Sequence, residues 1–301
     1  MWRKRSRAET AAILALCVWP ARALATLDGS NSGASASAHF TADQAGPTVT
    51  SFPDHVSLTL SATASETYVP PLGPWQDDFD YEAFVLGSGT ITYGSAAGRF
   101  QMEASTMPDF VNPTSPGSPE YNDGLCEVSA SIQLEFQEDG TVTGGAPGTP
   151  VTLTLNFLIQ SEATLVGGHP SFERNALTQF SGRIIDKSNG SSVERTIYGN
   201  GLTSVDFDTA VGHVLSIEGR LALAGEGVAG RSTASFGFFP QFLGSLDASI
   251  GGLWMTGPAG VQIDAPSGHD YTVPVPEPGR TLLLLVSAGV LLVLRAFARR
   301  S

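Results

Sequence analysis

From Cys126 to Phe136 every second side chain is apolar: Cys126, Val128, Ala130, Ile132, Leu134 and Phe136 alternate with Glu127, Ser129, Ser131, Gln133 and Glu135. A β-strand sends successive side chains to opposite faces, so this stretch has one face to bury and one to hydrate. The pattern recurs. Val56, Leu58 and Leu60 alternate with Ser57, Thr59 and Ser61. Val151, Leu153, Leu155, Phe157 and Ile159 alternate with polar residues apart from Leu158, and Leu215, Ile217, Leu221 and Leu223 share one face, as do Ala234, Phe236 and Phe238. No stretch between these runs combines a helical period with caps. Strands with one apolar face pair as antiparallel sheets and pack through that face. The pattern predicts an all-β chain, an antiparallel β-sandwich that is jelly-roll-like, with a closed barrel as the main alternative. Uneven strand spacing argues against a membrane barrel.

Asp139-Gly140, Asn189-Gly190 and Asn200-Gly201 stand between strand-like runs. Such dipeptides supply the positive φ angles of two-residue turns, so each is predicted to close a hairpin. Gly219 interrupts an apolar face and reads as a bulge or kink. Gly225-Glu226-Gly227-Val228-Ala229-Gly230 fits G-x-G-x-x-G. A dinucleotide site needs a helix next, and Arg231 to Phe239 reads as a strand, so these glycines are expected to form a hairpin connection. Residues 26–50 form a lead rich in Ser, Ala, Gly and Thr, able to supply an edge strand near Ser35–Phe40, and 51–273 form the sandwich body. Within it, 66–88 and 105–124 read as irregular segments, and long loops often carry function.

The two ends have different chemistry. Arg3, Lys4, Arg5 and Arg7 precede a short apolar stretch, and Ala23 and Ala25 stand at −3 and −1 before Thr26. That order predicts a signal peptide over 1–25. At the other end, Val275-Pro276-Glu277-Pro278-Gly279 precedes an apolar run from Thr281 to Leu294, followed by Arg295, Arg299 and Arg300. Those 14 residues would span about 21 Å as a helix. A span over 281–298 becomes long enough if Arg280 and Arg295 reach outward to the interfaces. The closing arginines would stay in the cytoplasm and leave the body outside.

A Pro-Glu-Pro, a short apolar helix and an arginine-rich end, in that order, resemble the PEP-CTERM sorting signal. The resemblance covers residues 274–301. It implies that an exosortase-type membrane protease reads Pro276, Glu277 and Pro278. The protein would then be held at the inner membrane until processed, and delivered to the cell surface or an exopolysaccharide matrix. An ordinary anchor on a proline-rich stem would look the same physically, since both need an extended stem and an apolar helix.

Charge is distributed unevenly. Of 16 basic residues only seven lie in 26–276, against 27 of the 29 acidic ones, which leaves that stretch at about −20. A body so acidic does not bind nucleic acid through phosphates and repels anionic surfaces. With Cys17 in the signal peptide, Cys126 is the body's single cysteine; on an apolar strand face it reads as a buried thiol.

The sequence holds no nucleophile elbow, zinc-helix motif or phosphate loop, the five histidines are scattered, and no enzyme is predicted. Asp77, Asp78 and Asp80 cluster with oxygen ligands suited to Ca²⁺, although no EF-hand spacing follows; otherwise no cofactor is expected. Trp75 and Tyr81, beside these acids and Phe84, could stack on sugar rings or plug one end of the sandwich. Glu127 and Glu135 should share the polar face of one strand, and Asp206 and Asp208 should share another. Three functions follow: a structural or adhesive surface protein, a carbohydrate-binding module that holds the matrix polymer, or a polysaccharide hydrolase working through two carboxylates.

Overall fold

The computed structural model describes residues 26–38, 41–68, 79–108, 125–167, 175–231, 238–239 and 241–274. Among them are 16 strands and no helix. The strands form two antiparallel sheets. Sheet A runs β11 (Ser192–Tyr198), β10 (Asn175–Asp186), β13 (Val214–Arg231), β8 (Leu125–Thr143), β2 (Gly33–Ala38) and β3 (Thr41–Ala45). At its margins β1 (Thr26–Asp28) and β16 (Gln262–Asp264) pair with β8, and β14 (Phe238–Phe239) with β13. Sheet B runs β12 (Gly201–Ala210), β9 (Pro150–Gly167), β15 (Gln241–Thr256), β7 (Ser95–Pro108), β6 (Phe79–Thr92), β5 (His55–Tyr68) and β4 (Thr48–Ser51).

The apolar halves of the alternating runs face each other as the pattern predicts. Cys126, Ile132, Leu134 and Phe136 of β8 and Leu153, Leu155, Phe157 and Ile159 of β9 lie in one buried core. The Ser/Ala-rich stretch before residue 50 belongs to the same sandwich: β2 pairs with β8 in register, and Ala34, Ala36 and Ala38 are buried in that core.

Two glycines create the space that the large core rings fill. Gly219 on β13 stands opposite Gly182 on β10 and opposite Phe136 on β8. A Cβ at Gly219 would lie 2.1 Å from Phe136 Cε1, and one at Gly182 would lie 1.8 Å from Phe157 Cε1. Gly219 is therefore no bulge: the ladder runs through it unbroken. It is glycine because a ring occupies the place of its side chain, as close packing of the interior demands.

Other glycine-based expectations are corrected in the same way. Asp139 and Gly140 lie inside β8, and the turn follows them, where Gly144 (φ 94°) and Gly148 (φ 81°) supply the left-handed backbone. Gly225 to Gly230 lie inside β13, paired with Ala130 to Leu125; at Gly225 a Cβ would meet the ring of Phe100 at 2.5 Å. Asn189-Gly190 does close the β10–β11 hairpin, with Gly190 at φ 78°. In the β11–β12 turn the left-handed residue is Gly199, and Gly201 starts β12. Most of 66–88 is strand rather than loop: β5 continues to Tyr68 and β6 starts at Phe79.

The strand ends sort the connections. Tight turns at 52–54, 93–94, 144–149, 187–191 and 211–213 gather at one end. The segment from Gly257 to Pro274 lies there too: Met255 donates its N–H to Tyr271 O at 2.6 Å, and β16 pairs with the last residues of β8. The connections that carry 39–40, 69–78, 109–124, 168–174 and 232–237 all leave from the opposite end.

Candidate functional site

The polar halves of β8, β13, β10 and β11 make the outer face of sheet A, and the register sets them in rows. One row is Gln137, Glu218, Arg183 and Glu194; the next is Glu135, Arg220, Ser181 and Thr196; the third is Gln133, Ala222, Gln179 and Tyr198. Directly opposite residues on antiparallel strands share a face and stand about 5 Å apart, and rows follow at about 6.8 Å. Glu127 and Glu135 share this face, as the alternation predicts.

The rows are cross-linked by polar contacts. Arg220 Nε lies 3.2 Å from Glu135 Oε1, and Arg220 Nη2 donates to Gln133 Oε1 at 2.8 Å. Gln137 Nε2 donates to Ser216 Oγ at 3.2 Å, and Ser181 and Thr196 hydroxyls share a hydrogen bond of 2.9 Å. The Arg220–Glu135 pair is largely buried, its side chains 12% and 24% exposed.

Glu218 is the unusual member. It stands on the solvent side of the sheet, yet it is only 5% exposed. Its Oε1 accepts weakly from Ser216 Oγ at 3.5 Å. Its Oε2 has no hydrogen-bond donor among the described residues, and Arg183 Nη1 is 3.8 Å away, beyond hydrogen-bond range. Burial pushes this carboxyl above the usual range, with Arg183 pulling the other way and Glu194 adding repulsion. A buried carboxylate with a free oxygen costs stability unless something pairs with it. At the rim of the same face, Tyr198 is 63% exposed. Ala222, between Gln133 and Gln179 in its row, is buried.

Two further polar clusters sit at the tight-turn end. Glu138 belongs to the inward-facing series of β8 and is fully buried. It accepts from Tyr271 Oη, from Ser267 Oγ at 2.9 Å and from Ser267 N at 3.3 Å. Burial, then the charge and hydrogen bond of Glu138, push the Tyr271 hydroxyl well up; burial also lowers His269, whose ring meets Tyr271 edge-on at 4.5 Å. A Cβ at Gly94 would lie 2.4 Å from His269 Nε2, so only glycine lets that ring sit on the β6–β7 turn. The second cluster is Asp186, also fully buried, which accepts from His213 Nδ1 and Thr209 Oγ1, each at 2.7 Å, and from Ser188 N at 2.8 Å. Burial pushes its carboxyl up, and these hydrogen bonds outweigh that and hold it low. Every acceptor in both clusters serves a loop or the chain's last described segment, so they fasten the fold.

The residues singled out from the sequence fall elsewhere. Trp75, Asp77 and Asp78 lie outside the described residues, as do Pro276, Glu277, Pro278, Arg295, Arg299 and Arg300. Asp80 is exposed on β6 and accepts from Thr67 Oγ1 at 2.7 Å. Tyr81 is 2% exposed and part of the core, so its ring offers no face to a ligand from solvent. Among the described residues no group of His, Cys, Asp and Glu could hold a metal ion. None of them forms a helix long and apolar enough to cross a membrane, and 281–298 lies outside them. Asp206 and Asp208 do share the outer face of sheet B, where each accepts from a β9 threonine, Thr154 and Thr152. Cys126 is buried, its thiol pushed up to about 12 by desolvation and donating to Ser105 O at 3.2 Å.

Sequence reasoning missed Glu218, Arg183 and Tyr198. The neighbours of Glu218, Gln137 and Arg183, one on each adjoining strand, are set by register alone.

The sequence matches no known family model and no curated protein. Among solved structures, TmCBM61 in complex with β-1,4-galactotriose overlaps at 8% identity and a TM-score of 0.22, over 46% of this chain and 72% of that one. Likeness at that level carries no weight for the fold or the activity.

Proposed function

We propose that this is an exported cell-surface or exopolysaccharide-matrix protein whose β-sandwich body, jelly-roll-like in its two-sheet wrapping, acts structurally by holding a polysaccharide on the outer face of sheet A. The observation that carries this reading is the ordered array of amides, hydroxyls and arginine–carboxylate pairs on that face, with an exposed tyrosine at its rim. Sugar recognition needs fixed donors and acceptors for hydroxyl groups and a flat apolar ring to stack against. The array offers the first on β8, β13 and β10 and the second on the edge strand β11. The body binds its ligand without turning it over.

Delivery rests on the ends of the chain. A signal peptide over 1–25 exports it. Pro276, Glu277 and Pro278 are read by an exosortase-type membrane protease while the helix holds them at the inner membrane. Arg295, Arg299 and Arg300 fix the orientation. The described chain reaches Pro274 at the tight-turn end. A tail leaving from there sets the opposite end of the sandwich away from the membrane, with both outer faces to its side.

The test is the mass of the protein recovered from cells, beside a variant with Pro276, Glu277 and Pro278 all changed to Ala. A native chain ending within the motif, with the variant retained full-length in the membrane, supports the sorting reading. Full-length chains in both cases would make the tail a plain anchor.

A further inference from the structure

Resting on the polysaccharide reading of the same face, we infer that its ligand class is a neutral polysaccharide, bound through hydroxyl pairs at Glu218 and Arg183 and by ring stacking on Tyr198. The gap between Glu218 Oε2 and Arg183 Nη1 is 3.8 Å. That is too long for a hydrogen bond and too short to leave both groups well hydrated in a site where Glu218 is 5% exposed. A hydroxyl group is at once donor and acceptor. Oε2 is covered in the free chain, while the Arg183 side chain above it is 29% exposed; with that side chain swung aside, one sugar hydroxyl can donate to Oε2 and a neighbouring one can accept from the guanidinium, so a diol satisfies both groups at once. An anionic sugar cannot: its carboxylate would meet Arg183 favourably but would stand against Glu218 and Glu194, in a body that carries about −20 between 26 and 276. A cation would face Arg183. The uncharged polyol is the class that suits both ends of the pair.

The face also has the reach of a polymer site. Tyr198 stands two rows from Glu194, the register neighbour of Arg183, about 13 Å along the strands. Between them Gln179, the register partner of Ala222, presents an amide. A ring stacked on Tyr198 and a diol held at Glu218 would belong to different sugar units of one chain. A single monosaccharide could not engage both.

The experiment measures binding of the full-length chain, purified in a detergent without a sugar headgroup, to neutral polymers (dextran, mannan, galactan, xylan) and to uronic polymers (alginate, polygalacturonate) by affinity electrophoresis. Glu218→Gln, Tyr198→Ala and, as a control on the other sheet, Leu202→Ala are run beside it. Expected is retention by at least one neutral polymer and by neither uronic one, weakened at least tenfold in Glu218→Gln and Tyr198→Ala, unchanged in Leu202→Ala, with all variants keeping a cooperative thermal transition. Preferential binding of uronic polymers, lost in the same two variants, would overturn the neutral class and leave the face as the polymer site. Binding of any polymer that both variants retain would overturn the assignment to this face. No binding to any polymer, including polymer extracted from the native matrix, would overturn the polysaccharide reading itself.

Discussion

Glu218 and Arg183 stand opposite each other on β13 and β10, on the outer face of sheet A, with Oε2 and Nη1 3.8 Å apart and no hydrogen bond between them. Burial raises the Glu218 carboxyl, so the ionised form is less favourable in the folded chain than in the unfolded one. The folded state then holds its proton more tightly, and stability falls as pH rises from the unfolded carboxylate range through the raised folded value. Replacing the group by Gln removes that loss. Glu218→Gln is expected to raise the Tm at pH 7 and to change it little at pH 4. A lowered Tm at pH 7 would mean the carboxylate is a stabilising partner of Arg183 and not a group held in reserve for a ligand.

The Glu138–Tyr271 contact gives an alkaline signature. Tyr271 has its hydroxyl raised well above 10.0, first by burial and then by Glu138, and Tyr93 is raised for the same two reasons. A raised folded value means stability is complete below the unfolded tyrosine range and is lost as pH climbs above about 10. Tyr271→Phe removes one hydrogen bond to a charged acceptor and should cost about 1.5–3 kcal/mol at pH 7. It should also flatten the fall in stability between pH 9 and pH 11, measured by urea denaturation.

At the acid side His269 acts in the other direction. Burial lowers it below 6.5, so the folded chain keeps it neutral while the unfolded chain takes up a proton. Stability is full above that value and is lost as pH falls through the lower folded one. His269→Gln is expected to reduce the loss of Tm between pH 7 and pH 5. An unchanged pH profile would remove His269 as its source.

Gly219→Ala places a methyl where the Phe136 ring already lies. Overpacking of this kind costs about 1–3 kcal/mol. Pairing it with Phe136→Leu should recover part of the loss, because the two sites share one space. A double variant whose loss equals the sum of the two single losses would show that the ring is not the obstacle.

How far the sequence reached differs by level. Alternation in β5, β8, β9 and β13 gave the strands and their buried faces, because a period of two has one physical reading. Glycine misled, since one residue type serves two ends: φ above zero at Gly190, and room for a ring inside a continuous strand at Gly219 and Gly225. Asp139-Gly140 looked like a turn because the dipeptide rule is local, while Gly140 is held in β8 by Ile263 packing against it from β16. The binding face was legible only by halves. Glu135 was visibly on a polar face, but the register that brings Glu218 beside Arg183 and sets Tyr198 in line with Gln179 joins strands far apart in the chain. Tyr81 was read beside an acidic loop; its strand parity turns it into the core.

Co-sedimentation with the insoluble polymer taken from the cells' own matrix decides whether the outer face of sheet A holds it. The native chain and a Tyr198→Ala/Glu218→Gln double variant would be compared at equal concentration and matched folded fraction. The native chain is expected to pellet with the polymer and the double variant to stay in the supernatant. Equal pelleting of the two would contradict it and move the site away from the outer face of sheet A.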